Sequence, residues 1–280
     1  MRKVSYLRKL QKNDDLSLLV FEPTGCYSKE LEMYCLKGNL PYHKVHLNKV
    51  YHFARSKGYA KTDKIDACIL AQYAQQNNVS ADTNNSIKQI ERQELSSAVN
   101  DLKQQLSALK GKAQGIYISS TIKRMHHRRI RQLEKDLLLL QQELDEDIAT
   151  DEDLKHKYNL LQTIAGVGKE TARTLVIDLP ELGQISRERI SALVGVAPYN
   201  KDSGKKTGYR SIIGGRAHVR KVLYMAALVA SRFNPRMKKI YQDLRMRGKQ
   251  GKVALVAIIR KMLIMMNAMV KNNTPWSPEI

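Results

Sequence analysis

Acidic residues are scarce in this chain. Its 280 residues hold 27 Asp and Glu against 48 Lys and Arg, a formal net charge of +21. A deficit of that size points to a polyanionic partner, because neutralised phosphates release counterions. A ribosomal or other RNA-binding protein would carry the same imbalance. Cysteine is also scarce, with only Cys26, Cys35 and Cys68 and no CxxC pair. An odd, unpaired set argues against a disulfide framework and against a thiolate zinc site, and reads as a reducing, cytoplasmic compartment. No uninterrupted apolar run approaches membrane-spanning length, and no lipid-motif cysteine or basic amphipathic end segment suggests a membrane surface. The opening "MRKVSYLRKLQKNDD" is too polar for a secretory leader.

What is present suffices for a packed core, with 42% hydrophobic residues. Three zones follow one another. In residues 1–80, positions 5–12 suit a short helix, and the apolar run "LSLLVFE" (16–22) suits a buried strand between "NDD" and "PTG". "SKELEMYCLKG" (28–38) reads as a helix ending at Gly38, and "PYHKVHL" (41–47) as a second strand. A helix then spans about 62–77, with Thr62 as its N-cap. The order β-α-β-α predicts an α/β unit with a parallel strand pair.

Residues 86–150 differ. Leu95, Val99, Leu102, Leu106 and Leu109 step by four and three, and Leu133, Leu137, Leu140, Leu144 and Ile148 nearly repeat the pattern. Two long helices with a coiled-coil seam follow, broken near "KGKAQG". They form either an antiparallel hairpin within one chain or a dimerisation arm. Between the seams, "IKRMHHRRIRQ" is a solvated face or a phosphate-contacting one. Residues 158–280 are helical, with loops rich in Gly and Lys. "LLQTIAGVGKETARTLVIDL" places Gly166-Val167-Gly168 between two helices, with Lys169 opening the second. Such a turn presents backbone N–H groups to a phosphate, in the manner of a helix-hairpin-helix. It serves equally as a plain tight turn between packed helices.

Two carboxylates, Asp63 and Asp66, lie three positions apart and so share one helical face. Glu22 closes the first strand, directly before "PTG", and functional groups of open α/β sheets gather at strand carboxyl ends. Three hard oxygen donors suit Mg²⁺ or Mn²⁺, and such ions stabilise attacking and leaving oxygens in phosphodiester chemistry. The structural alternative is a helix-start acid at Asp63 and a salt-bridge partner at Glu22.

Five blocks, "VFEPTGCYSKELEMYCLKG", "VHLNKVYHFARSKGYAKTDKIDACILAQYA", "IAGVGKETARTLVIDLPEL", "SALVGVAPYNKDSGKKTGYRSIIGGRAHVRKVLYMAALVASRFNP" and "MRGKQGKVALVAIIRKMLIMMNAMV", resemble in order the DEDD insertion-sequence transposases of the IS110 family. The resemblance covers nearly the whole chain. It implies a RuvC-like (RNase H-like) α/β domain over 1–80, a coiled-coil arm over 86–150 and a mainly helical transposase domain over 158–280. It also implies recombination of an insertion element into target DNA, an element-encoded bridge RNA as guide, and a homo-oligomer assembled on DNA. Its metal-holding Glu and Asp-x-x-Asp fall on Glu22, Asp63 and Asp66. Its nucleophilic serine falls on Ser203 of "KDSGKKTGYR". Around that serine Lys201, Lys205, Lys206, Arg210, Arg216 and Arg220 are candidate phosphate contacts. The family's first Asp, on an initial strand, has no counterpart. The resemblance therefore implies that the opening strands are missing, through a truncated frame or a misassigned start, and that this copy is inactive or restored by upstream sequence. A non-catalytic DNA- or RNA-binding remnant and a junction-resolvase-like nuclease are the other readings.

Overall fold

The computed structural model describes residues 17–45, 47–57, 63–82, 86–115, 117, 119–200 and 210–277, with the side chains of Cys26, Asp63, Lys64, Ile65, Asn200 and Arg210 also outside the description. The expected helix over 5–12 and the Thr62 cap lie outside these residues. The chain forms two compact units, Met1–Ile90 and Glu91–Ile280.

The first unit opens with β1 (Leu19–Phe21), helix α1 (Cys26–Lys37) and β2 (Tyr42–Lys44), followed by α2 (Leu47–Ser56) and α3 (Asp63–Gln76). The strands are parallel, in register Leu19 with Tyr42 and Phe21 with Lys44. Alternation along β1 separates two small cores. Leu19 and Phe21 pack with Leu31, Tyr34, Cys35 and Leu36 of α1 on one face. Val20 packs with Val45, just after β2, and with Val50, Ile69 and Tyr73 of the α2–α3 layer on the other. The expected parallel pair is present, and Gly38 ends α1 where its sequence predicted. Helix α2 begins at Leu47, where the pattern of "PYHKVHL" predicts the end of a strand.

The outer edge of β2 is occupied by a side chain and its own backbone. Asp82 donates its N–H to Tyr42 O at 2.8 Å, and its Oδ2 accepts from the Lys44 N–H at 2.9 Å. The inner edge pairs with β1 through Leu19 N to Pro41 O at 2.9 Å and Val45 N to Phe21 O at 3.0 Å. Both edges of β2 thus carry hydrogen bonds.

The second unit is helical. The long helix α4 (Ile87–Ala113), whose first turn closes the first unit, and α5 (Ser120–Thr150) are followed by α6 (Glu152–Gln162), α7 (Lys169–Asp178) and α8 (Arg187–Val194). A two-residue hairpin of β3 (Tyr199–Asn200) and β4 (Arg210–Ser211) precedes α9 (Ala217–Phe233), α10 (Pro235–Met246) and α11 (Gly251–Asn272). Arg92 pairs with Asp147, and Lys110 with Glu134 at 2.7 Å. Partners that advance along α4 while retreating along α5 define an antiparallel intrachain hairpin. Val99, Leu144 and Ile148 anchor its inner end in the main core.

Helix α11 is long and apolar enough, by length and composition, to cross a membrane. Arg260 and Lys261 interrupt its run. Here it is the central core helix, with Ile258, Ile259, Met262, Leu263 and Met266 fully buried against its neighbours.

Candidate active site and nucleic-acid interface

Glu22 directly follows β1 and is half-buried; α3 begins at Asp63, and Asp66 is half-buried one turn on. Helix α3 packs on β1. Asp66, Ile69 and Tyr73 follow one another at helical spacing, so the stripe that meets Val20 continues toward the carboxylates. Strand alternation gives Glu22 the same side as Val20. Among the described residues no three His, Cys, Asp or Glu side chains lie together as a metal-holding group, and the side chain of Asp63 is outside that description.

A fourth acid of this unit, Glu32 on α1, is committed elsewhere. Its buried carboxylate accepts from Tyr42 Oη at 2.9 Å and meets Lys44 Nζ at 2.6 Å. Burial first, and then this carboxylate, pushes the neighbouring Cys35 thiol up to about 11.

In the second unit, the α6–α7 turn brings Gly166, Gly168 and Lys169 together. Gly166 has φ +105°, and a Cβ there would fall 2.9 Å from Ala230 Cβ on α9. This glycine serves packing as well as turning. Gly168 is the N-cap of α7 with ordinary φ, and a Cβ there meets nothing within 4 Å. The N-terminal turn of α7 is therefore open to solvent at Gly168 and Lys169, the arrangement in which backbone N–H groups meet an anion.

The serine loop is only partly described. Ser203, Lys201, Lys205 and Lys206 lie outside the described residues, as does the side chain of Arg210. Arg216 and Arg220, expected to meet phosphate, are engaged inside the protein. Arg216 makes two 2.6 Å bonds to Glu181 and one of 2.9 Å to Asp178 O. Arg220 Nη1 donates to Val194 O at 2.9 Å and Gly214 O at 2.7 Å. It thereby ties the left-handed C-cap of α8, Gly195, to the segment leading from the β-hairpin into α9. A Cβ on Gly195 or Gly215 would collide with the other's strand of backbone, so both must be glycine.

Sequence reading missed the polar groups that hold this region. Asp178, 8% exposed, accepts from Ser96 Oγ at 2.7 Å, and His218 Nε2 lies 3.5 Å from it. The available signal was an acid closing the apolar run "TLVID". It also missed Arg92, whose Nη2 reaches Asp147 Oδ1 at 3.2 Å and Asp151 Oδ2 at 2.9 Å. The Asp147 hydrogen bond raises Arg92 above its ordinary range against opposing burial, with Asp151 adding to it. Asp151 is the shared cap of α5 and α6, accepting from Leu154 N at 3.2 Å. Burial would raise its carboxyl, but that N–H and the Arg92 guanidinium outweigh it and hold the group low.

A carboxylate-bearing α/β unit and a basic helical unit suit a polyanionic partner, and comparison with known proteins gives the class. Residues 3–117 match the DEDD transposase model of the IS110 type, and residues 158–242 match the model described as Transposase IS116/IS110/IS902 family. The pilin gene-inverting protein of Moraxella bovis is 28% identical over 271 residues, 94% of this chain and 82% of that protein. Its Moraxella lacunata counterpart gives the same values. The uncharacterized 42 kDa protein of insertion element IS900 from Mycobacterium paratuberculosis is 30% identical over 96 residues, 33% of this chain and 24% of that protein. The chain is a DNA transposase/recombinase. It belongs to the IS110 family of insertion-sequence transposases.

Proposed function

We propose that this transposase breaks and rejoins DNA through Ser203, with Glu22, Asp63 and Asp66 holding a divalent cation. What supports the reading is the packing of α3 on β1 in the cluster of Val20 and Ile69, with Glu22 two residues after Val20 and Asp66 about one turn before Ile69. The donor set fits Mg²⁺ or Mn²⁺, since all three groups are hard oxygens, and neither Glu22 nor Asp66 is taken up in an ion pair among the described residues. A bound ion would supply charge neutralisation at the reacting phosphate.

Ser203 Oγ forms the bond to phosphorus while the phosphodiester's bond to its leaving oxygen breaks. The serine proton passes to solvent or a nearby base, and the departing oxygen takes up a proton as a free hydroxyl. The phosphoserine link keeps the bond energy, so the reverse attack by a hydroxyl end rejoins strands without ATP. Lys201, Lys205, Lys206 and Arg210 stabilise charge at phosphorus, and Gly204 permits close backbone approach. The α6–α7 hairpin holds flanking phosphate through Gly168 and Lys169. The protein acts as a homo-oligomer on DNA, with an element-encoded RNA selecting the sites joined.

The test is trapping. The protein is incubated with nicked substrate DNA and Mg²⁺, then denatured. A covalent adduct forms, Ser203→Ala removes it, and Asp66→Ala abolishes it while sparing DNA binding. Metal-dependent cleavage with no adduct would replace this reading with a resolvase-like nuclease. An adduct that survives Ser203→Ala, or maps to Ser211, would remove Ser203 from the role.

A further inference from the structure

We propose that the outer half of the α4–α5 arm is a second, separate DNA-binding surface, holding the phosphates of duplex DNA flanking the reacting site. This goes beyond the reading above and requires neither Ser203 nor the carboxylates. Between Asp101 and Glu134 the sequence has no Asp or Glu and eight Lys and Arg. Two of these cations are spent, Lys103 on Glu170 at 2.6 Å and Lys110 on Glu134 at 2.7 Å. Lys112, Lys123, Arg124, Arg128, Arg129 and Arg131 are exposed and have no ion-pair partner among the described residues.

Their placement is ordered. Arg124, Arg128 and Arg131 stand at i, i+4 and i+7, so they line one face of α5. They are offset by two residues from the half-buried seam positions His126, Ile130 and Leu133. At 3.6 residues per turn that is about 200° around the helix, the side turned away from α4. Their successive rises are about 6 and 4.5 Å, a continuous line of positive charge. Like charges at these spacings oppose helix formation unless an anion screens them. The tip is fixed, too. Tyr117 packs on His126 with ring centroids 5.2 Å apart, and its hydroxyl donates to Lys112 O at 2.5 Å. Ser119 caps α5, whose N-terminal dipole adds to the positive field.

The occupant is DNA because DNA is the polyanion this class of enzyme acts on. The arm's length gives the surface a purpose. Arg124 lies 20 residues before Leu144, where α5 enters the core, a reach of about 30 Å along the helix. Phosphates well outside the cleavage site come within its range.

The test compares the whole protein with its Arg124→Gln/Arg128→Gln/Arg131→Gln variant, which keeps good helix formers throughout. Equal helicity and melting temperature establish that the arm is intact. Binding to a 40-bp duplex is measured from 50 to 300 mM salt. The variant's log K against log salt slope becomes shallower by about 2.7, at 0.9 for each phosphate no longer neutralised, and affinity near 0.1 M salt falls roughly 10- to 100-fold. A control with the same charge change, Arg232→Gln/Lys238→Gln/Lys239→Gln, alters the slope by less than half as much. An unchanged slope in the arm variant overturns the proposal. So does an equal effect in the control, which would mean diffuse charge. Weakened binding of a folded RNA with duplex binding intact would assign the arm to RNA and also overturn it. Adduct formation at Ser203 is scored separately, so failure of the two readings is distinguishable.

Discussion

Gly166 sits against Ala230, with φ +105° and no room for a Cβ between the α6–α7 turn and α9. Two penalties therefore coincide at one position, a backbone conformation disfavoured for L-residues and an overpacked interface. Gly166→Ala is expected to cost about 2–4 kcal/mol of stability. Gly168→Ala, two residues on, has open space and ordinary φ, and should leave the melting temperature within a few degrees. If Gly168 lies against phosphate, that same variant weakens DNA binding. Thermal melts of both proteins, with a binding titration of the second, separate packing from recognition.

Arg220 should behave as a structural residue. Arg220→Gln removes the donor shared by the carbonyls of Val194 and Gly214, leaving the acceptor at buried Val194 without that partner and untying the exposed Gly214 from it. A destabilisation of about 2–3 kcal/mol is expected, with little change in the salt dependence of DNA binding. A slope that drops by about 0.9 at unchanged stability would mean that Arg220 meets phosphate after all.

Arg216→Lys should fail to replace the native residue, since an ammonium cannot reproduce two parallel bonds to Glu181 while also reaching Asp178 O. The expected result is a lower melting temperature for Arg216→Lys and Arg216→Ala alike. Recovery in the lysine variant would show that charge alone matters there.

The Arg92 cluster predicts an acid limb. Asp151 is held below its ordinary range in the folded state, so it stabilises the fold at pH values above its unfolded pKa. That contribution disappears as pH falls through the folded value. Stability measured by denaturant titration should therefore decline below about pH 4. Asp151→Asn should be less stable at neutral pH and flatter across the acid range. Arg92→Met at neutral pH strands two carboxylates and should cost about 2–4 kcal/mol.

Thiol chemistry offers a quick check of the first unit. At pH 8 a thiol with a pKa of about 11 is only about one part in a thousand thiolate. Cys35 is also fully buried, whereas Cys68 is exposed. Native protein should be alkylated at Cys68 and not at Cys35, and unfolding should equalise the two. Rapid native labelling of Cys35 would show that the α1–sheet core is open.

What the sequence disclosed depended on periodicity and on residue chemistry with few alternatives. "LSLLVFE" and "PYHKVHL" read as strands because apolar runs bounded by turn residues have one economical use. The leucine seams of α4 and α5 were equally plain, but periodicity names a face and not its cover. Only the Arg92–Asp147 and Lys110–Glu134 pairs reveal that the cover is the same chain. The two-residue strands β3 and β4 are too short to leave a pattern. Arg216 and Arg220 looked like phosphate ligands because a cation's composition says nothing of its acceptor. The partners they have within the chain, Glu181 and the carbonyls of Val194 and Gly214, come from other elements. Ser96 and Asp178 meet across 82 positions, a separation no local pattern reports.

Asp151 caps two helices at once and is braced by Arg92, and this corner governs a lever. From Leu144 to Ser120 the arm extends about 36 Å, so a tilt of about 5° at its root carries the tip roughly 3 Å. That is close to the rise of one base pair. Arg92, Asp151 and the Asp145–Arg173 pair beside them, held in ion pairs at the root of the arm, would then set which phosphates the far end reaches. Calibration of the instrument would reside at its hinge, and substitutions there would shift the register of footprints on DNA while every phosphate-binding side chain stayed in place.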